Sequence, residues 1–331
     1  MHESRQDGPQ GPAGPRWRHV PAWLVWLALG AAIAAAAWLM PWRTAWAALL
    51  EARKVWIAAA LAVCLAGTPI TATEWGFFLP RRYRLAWRRV FGIVAMTVTA
   101  RASLPFLAGD ASGAGLLVMR GGLDPGAAVL VLTLDQLFTG LGKVAMVCAT
   151  LVFARLPPFL VAGGAALVVL VLGFLALMLA ASVSGGVLHG LAARLPARAA
   201  RWLRGAADLT AHLEILRSPS RTAAVLALVG SRKLIEVGVT LAVQQALGIA
   251  LPAWSAVLVV TTVNLAAVIP GPPSGLGVFE ATALLTYRFL GVPPGIALAA
   301  AMVQHAVYLA TDLGYGYVLL AAQAVRRRSG G

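Results

Sequence analysis

PGPPSGLGVFEATALLTYRFLGVPPGIALAAAMVQHAVYL (270–309) carries the pattern from which this 331-residue chain can be read. Pro270, Pro272 and Pro273 break any helix arriving there, because each lacks a backbone N–H and its ring clashes with the preceding turn. Glycines follow, then a short helical stretch holding Glu280, then a proline-rich turn and a long apolar helix. LPFLAGDASGAGLLVMRGGLDPGAAVLVLTLDQ (104–136) repeats that order. Ser112-Gly113-x-Gly115 matches Ser274-Gly275-x-Gly277, and Gly122-x-x-Pro125-Gly126-x-Ala128 matches Gly291-x-x-Pro294-Gly295-x-Ala297. The later copy is seven residues longer between the two blocks.

Around these stretches the chain is 60% hydrophobic and 12% charged, with a mean hydropathy of +0.81. Soluble domains are about 25% charged, so a water-soluble enzyme is excluded. Apolar runs at 22–40, 55–79, 126–153, 159–183, 223–247 and 295–325 meet or approach the roughly 20 residues that cross a bilayer. The chain reads as an all-α, polytopic transmembrane bundle.

The net charge of +15 comes from arginines between the apolar runs, which fits the positive-inside rule and not nucleic-acid binding. Four clusters hold 17 of the 27 basic residues: Arg5, Arg16 and Arg18; then Arg81, Arg82, Arg84, Arg88 and Arg89; then six between Arg194 and Arg221; then Arg326, Arg327 and Arg328. Placing all four in the cytoplasm fixes the parity of the chain. Segment 90–123 must enter and return to the same side, as a re-entrant hairpin broken at Pro105 and Gly109. Segment 252–293 must start and end outside, broken at Pro270, Pro272 and Pro273. The two units, about 55–153 and about 222–325, then form an inverted repeat, a plan used by secondary transporters with substrate near the midplane. Residues 41–54 form the first external loop, and Arg43, Arg53 and Lys54 there go against the charge rule.

Outside the repeats, 1–21 reads as a disordered cytosolic tail, followed by a retained first helix and not a cleaved signal peptide. Segment 184–221 reads as a cytosolic amphipathic stretch on the inner leaflet, and 326–331 as a basic cytosolic tail. Cys64 and Cys148 lie in apolar runs without ligand spacing, so no disulfide, metal or cofactor is expected. The excess of Arg over Lys, 24 against 3, points to a GC-rich bacterium and hence to its inner membrane, with both termini cytoplasmic.

The 270–309 block resembles the transmembrane region of lysylphosphatidylglycerol synthases, a flippase-like family with a Pro-rich break, Gly-x-Gly-x-x-Glu, and a Gly-Val turn opening the next helix. The 104–136 block is similar to that family's other half, Pro-x-x-x-Gly-(Asp/Glu) followed by a basic residue and a new helix. The resemblance spans roughly 20–325. It departs at Asp135, Gln136 and Thr139, where the family often has an Arg three residues before an Asp, and at Gln304 and His305, where it often has an Arg. Full synthases add a soluble aminoacyl-transferase domain, and only six residues follow Val325, so that activity is not expected here.

Ionisable groups in apolar spans cost about 2.5–3.5 kcal/mol each at the bilayer centre, so each needs a reason. Glu74 and Lys143 read as helix-end or snorkelling groups, neutralised by pairing. Arg232 and Glu236, with Lys233 beside them, head a stripe through Thr240 and Gln244. Gln304, His305, Tyr308 and Asp312 form another. Glu280 follows the Ser274, Gly275 and Gly277 break, where unpaired N–H groups make an anion site; its alternative is a helix cap paired with Arg232 or Lys233. Arg101 precedes the other break and can grip a phosphate bidentately, with Asp110, Ser112 and Asp135 nearby in the repeat. No Gly-x-Ser-x-Gly, Walker, HExxH or Asp-rich phosphotransferase motif is present, so no enzyme is expected.

The resulting expectation is a translocator that moves an anionic or lipid-linked amphipath between leaflets. The alternatives are a secondary transporter of a small soluble anion, or a non-catalytic membrane subunit partnering a lipid-modifying enzyme.

Overall fold

The computed structural model describes residues 41–104, 106–153, 158–183, 218–267 and 272–329. The expected tail 1–21, the span 22–40 and all but the end of the 184–221 segment lie outside the described residues. Everything described is helix, turn or irregular loop, and three helical stretches are long and apolar enough to cross a membrane: Lys54–Phe78, Pro125–Val152 and Pro294–Ala322.

The connection expected at 41–54 contains a helix, α1 (Trp42–Glu51). Trp42, Trp46 and Leu50, four apart, line its exposed side while Ala45 is buried, the pattern of a helix lying in a membrane interface. The span expected at 55–79 is α2 (Lys54–Leu65) and α3 (Gly67–Phe78). Pro69 explains the joint. It cannot donate to the carbonyl of Leu65, and the Tyr315 hydroxyl donates to that carbonyl instead, at 2.5 Å.

Next comes a hairpin, α4 (Trp87–Ser103) and α5 (Phe106–Met119), then the long α6 (Pro125–Phe153) and α7 (Pro158–Val183). The second half runs α8 (Pro219–Ala246), a second hairpin of α9 (Trp254–Ala266) and α10 (Val278–Phe289), and α11 (Pro294–Ser329). The helix of α11 continues through Arg326–Arg328, which the sequence reading set apart as a tail. Hairpin legs of 17, 14, 13 and 12 residues all fall short of the roughly 20 needed for a crossing. The first hairpin leaves and returns at one end, since Arg82 and Tyr83, before α4, both donate to the Asp124 carboxylate, after α5.

Gly109 does not break this hairpin; it sits within α5, so that expectation is corrected. Its lack of a side chain lets the two legs touch, because a Cβ there would lie 2.7 Å from the Arg101 Cα. Gly113, one turn on, meets Thr97 in the same way, so a small-x-x-x-small pair seals the legs.

The second block of the proposed repeat agrees in backbone geometry. Gly122 and Gly291 both have positive φ, 70° and 84°, and each lets the chain turn out of one helix and start the next at a proline. Ala128 and Ala297 then make corresponding first helical bonds, to the carbonyls of Asp124 and Pro293. The first block does not agree. Ser112 to Gly115 are helical within α5, whereas Ser274 to Gly277 run from a 3₁₀ turn (Pro273–Gly275) into a further turn, with positive φ at three of the four residues.

Packing is reciprocal. The incoming leg α4 of the first hairpin packs on α11, which follows the second hairpin, and the incoming leg α9 packs on α6, which follows the first. Two apolar clusters result. One joins Trp75, Phe78, Ile93, Leu130 and Phe138 to Val225 and Val229 of α8; the other joins Ala60 and Cys64 of α2 to Val239, Tyr287, Ala300 and Val303. Within a bilayer such contacts gain close packing more than water exclusion. The Ala297–Ala301 stretch, with no exposure, gives α11 a flat surface for it. Along α8, the polar residues Arg232, Lys233 and Glu236 fall between the two clusters.

Candidate functional site

Two constraints place polar groups in the middle of this bundle: helix ends leave backbone groups unpaired, and buried charges must find partners. Arg101 sits in the last turn of α4. Its Nε donates to Asp110 Oδ1 at 2.6 Å, and its Nη2 to Asp135 Oδ2 at 3.2 Å. The other carboxylate oxygen of Asp135 lies 3.9 Å from Arg232 Nη1, which donates to Glu74 Oε2 at 2.7 Å. Asp110, Arg101, Asp135, Arg232 and Glu74 thus form a row of alternating charge that ties together α5, α4, α6, α8 and α3.

A second group lies beside the row. Lys233 donates to Glu236 at 2.6 Å and to Asn264 Oδ1 at 3.2 Å, while the Asn264 amide donates to the other Glu236 oxygen at 2.8 Å. Glu236 is therefore held by Lys233 and Asn264, and Arg232, the expected neighbour on its face, turns to Glu74.

The third group gathers at the second break. Glu280 takes the Gly277 backbone N–H at 2.7 Å on one oxygen and faces His305 Nδ1 at 2.6 Å on the other. The helix-cap alternative for Glu280 is the one the structure bears out, but with a different partner and no anion site. The N–H that was to bind an anion is already taken by Glu280 itself, and its partner is His305, not Arg232 or Lys233. Phe279 stacks on the His305 ring, with centroids 4.4 Å apart. Ser274 reaches across to donate to the Ala102 carbonyl at 2.9 Å.

Three cavities open between these groups, of about 480, 380 and 260 Å³, and Arg101 and Phe279 line all three. The largest is walled by Arg101, Asp110 and Gln136 on one side and by Ser274, Gly275 and Val278 on the other. The second takes in Arg232, Glu236, Asn264, Gln304 and Asp312, and the smallest His305, Tyr308 and Asp312. Gln304 is anchored by its amide to Thr240 at 2.9 Å.

Most residues singled out from the sequence thus converge on one cleft. Ser112 does not, because its hydroxyl donates to the Gly109 carbonyl of its own helix at 2.6 Å. Asp135, Lys233, Gly277 and Glu280 support neighbours without lining any of these three cavities. Sequence reasoning missed Asn264 and Phe279 and set Glu74 aside. Asn264 is the one amide in the apolar run 254–266 and so was findable; nothing in the sequence marks Phe279. Glu74 is only 1% exposed, so it is a buried ion-pair partner and does not snorkel.

The cleft carries both signs of charge. Asp110, Glu236 and Asp312 line the three cavities together with Arg101 and Arg232. Such a mixture of signs suits specific polar contacts and is no broad anion sink. No group of three or more metal-binding side chains occurs among the described residues.

The family model described as lysylphosphatidylglycerol synthase TM region matches residues 23–316. No curated protein and no solved structure matches the chain.

Proposed function

This chain belongs to the family of lysylphosphatidylglycerol synthase transmembrane regions, and from that premise we propose that it moves an amphipathic lipid, or a lipid-linked intermediate, between membrane leaflets. The headgroup travels through the polar cleft while the acyl chains stay in lipid. The observation that carries this reading is the place of Arg101, at the meeting point of three cavities and beside the tips of both hairpins. A guanidinium there holds a phosphate oxygen while the flanking carboxylates and amides hold the remainder of the headgroup.

The hairpins are read as re-entrant and the repeat as inverted, with the chain in a bacterial inner membrane and both termini cytoplasmic. The short legs, the reciprocal packing and the matched turns at Gly122 and Gly291 support this. So does the gathering of Arg81, Arg82, Arg84, Arg88 and Arg89 around the mouth of the first hairpin. The role is transport and not catalysis, and a lipid-modifying enzyme is the natural partner for a translocator of its product.

Leaflet exchange in proteoliposomes tests the proposal, with headgroup-labelled anionic, zwitterionic and glycosylated lipids. The expected result is exchange of one class, lost in Arg101→Ala. Exchange of none, with uptake of a soluble anion, would replace the proposal by a secondary anion transporter.

A further inference from the structure

The two carboxylates on Arg101 are not equivalent. Asp135 is 4% exposed, rides on the long helix α6, and also faces Arg232. Asp110 is 39% exposed, rides on the short return leg α5, and lines the 480 Å³ cavity together with Arg101. Asp135 does not line that cavity. One carboxylate therefore anchors the guanidinium from behind, and the other covers its face toward the cleft.

The charge count gives this arrangement a consequence. The row from Asp110 to Glu74 holds three carboxylates and two guanidinium groups, an excess of one negative charge. A phosphodiester entering the cavity would bring a second excess charge into a site of low dielectric, at high cost. Asp110 stands at the open end of the row and is the one acid that can turn to the water of the cavity. If it leaves Arg101 as the phosphate arrives, the number of anions paired with the guanidinium is unchanged. Gly109 sets this up, since the close approach of α5 to the Arg101 backbone brings Asp110 within 2.6 Å of Nε.

We propose that Asp110 masks a phosphate-binding site on Arg101, occupying the place that a headgroup phosphate takes during transport. The inference rests on the translocation reading for the source of that phosphate. The mask sets specificity. A simple anion must displace Asp110 with nothing further to gain, whereas a headgroup spanning the cavity also reaches Ser274 and Gly275 on the far wall.

Binding to the full-length protein in detergent tests it, with dihexanoylphosphatidylglycerol and inorganic phosphate as probes. Asp110→Asn should tighten the lipid probe about tenfold, the scale of one charge-assisted hydrogen bond freed for a ligand. Asp110→Glu, which restores the charge, should return to the wild-type affinity, and adding Arg101→Ala to Asp110→Asn should abolish the gain. Asp110→Ser removes the same charge and serves if the amide variant is poorly folded. A gain for the lipid probe exceeding that for inorganic phosphate supports the mask and a lipid ligand. An equal gain for both keeps the mask but assigns it to a soluble phosphate. Unchanged affinity for both probes overturns the mask. Leaflet exchange is measured separately, so its failure removes the translocation reading without deciding the binding result.

Discussion

Ser274 Oγ donates to the Ala102 carbonyl at 2.9 Å and so joins the tips of two hairpins that lie 172 residues apart in the chain. Ala102 is in the last turn of α4, where carbonyls have no helical partner, so the bond fills a vacancy created by the break itself. Ser274 makes it from a left-handed backbone, φ 57°, uncommon for a residue with a side chain.

Removing that hydroxyl separates the two effects. Ser274→Ala keeps the backbone strain and loses the bond, and should lower stability by about 1 kcal/mol. Ser274→Gly loses the bond but relaxes the backbone, and should fall less. Thermal unfolding in detergent would rank the two, and an equal loss would show that the backbone conformation costs nothing. Paired cysteines at positions 102 and 274, with Cys64 and Cys148 replaced, should cross-link under mild oxidation and, on the translocation proposal, stop leaflet exchange until reduced.

Glu74 and Arg232 form the buried end of the charge row, with Glu74 1% exposed. Glu74→Ala leaves a guanidinium with only the 3.9 Å approach of Asp135, and should cost about 3 kcal/mol. Glu74→Leu combined with Arg232→Met should recover much of that loss, because replacing both charges leaves neither unpaired. A double variant as unstable as the single one would show that Arg232 is needed for more than its pairing.

Asp124 clasps the mouth of the first hairpin. The Tyr83 hydroxyl and then the Ala127 N–H hold its carboxyl below the usual carboxylate range, with Arg82 adding charge. The clasp therefore contributes fully above about pH 4 and is lost as pH falls through the lowered value. Because this pair is 53% and 44% exposed, the effect should stay under about 1 kcal/mol. Asp124→Asn, which can still cap α6, should abolish the acid sensitivity of this end with little loss at neutral pH. A wild type whose stability is flat from pH 6 to 3 would refute the clasp.

Orientation can be read with single cysteines. Ala86 and Ala250 are both exposed, one beside the arginine-rich mouth of the first hairpin and one beyond the end of α8. In a background lacking Cys64 and Cys148, an impermeant thiol reagent on intact cells should label Ala250→Cys and spare Ala86→Cys. The reverse pattern would invert the topology.

Composition and charge spacing made the membrane class legible, and the parity of the arginine clusters pointed to hairpins. The turns at Gly122 and Gly291 were legible too, because a glycine three residues before a proline encodes a backbone path directly. The Ser112 block misled: a Ser-Gly-x-Gly string is compatible with both a helix and a break, and only the neighbouring prolines at 272 and 273 force the break in the second copy. Gly109 misled for a related reason. A glycine inside a helix can mark an end or a close approach, and the contact with Arg101 decides which.

The sequence by itself determined that the chain is a membrane bundle with broken helices, and which ionisable residues lie within it. Both follow from local facts: hydropathy, proline chemistry and the cost of charge in lipid. Only the tertiary structure decided the partners. Arg232 meets Glu74, 158 positions away, in preference to Glu236 four residues on, and Glu280 meets His305, 25 residues on. Helical periodicity tells which way a side chain faces along its own axis. What it faces depends on how helices from both halves cross, and that is fixed by packing distributed over the whole chain.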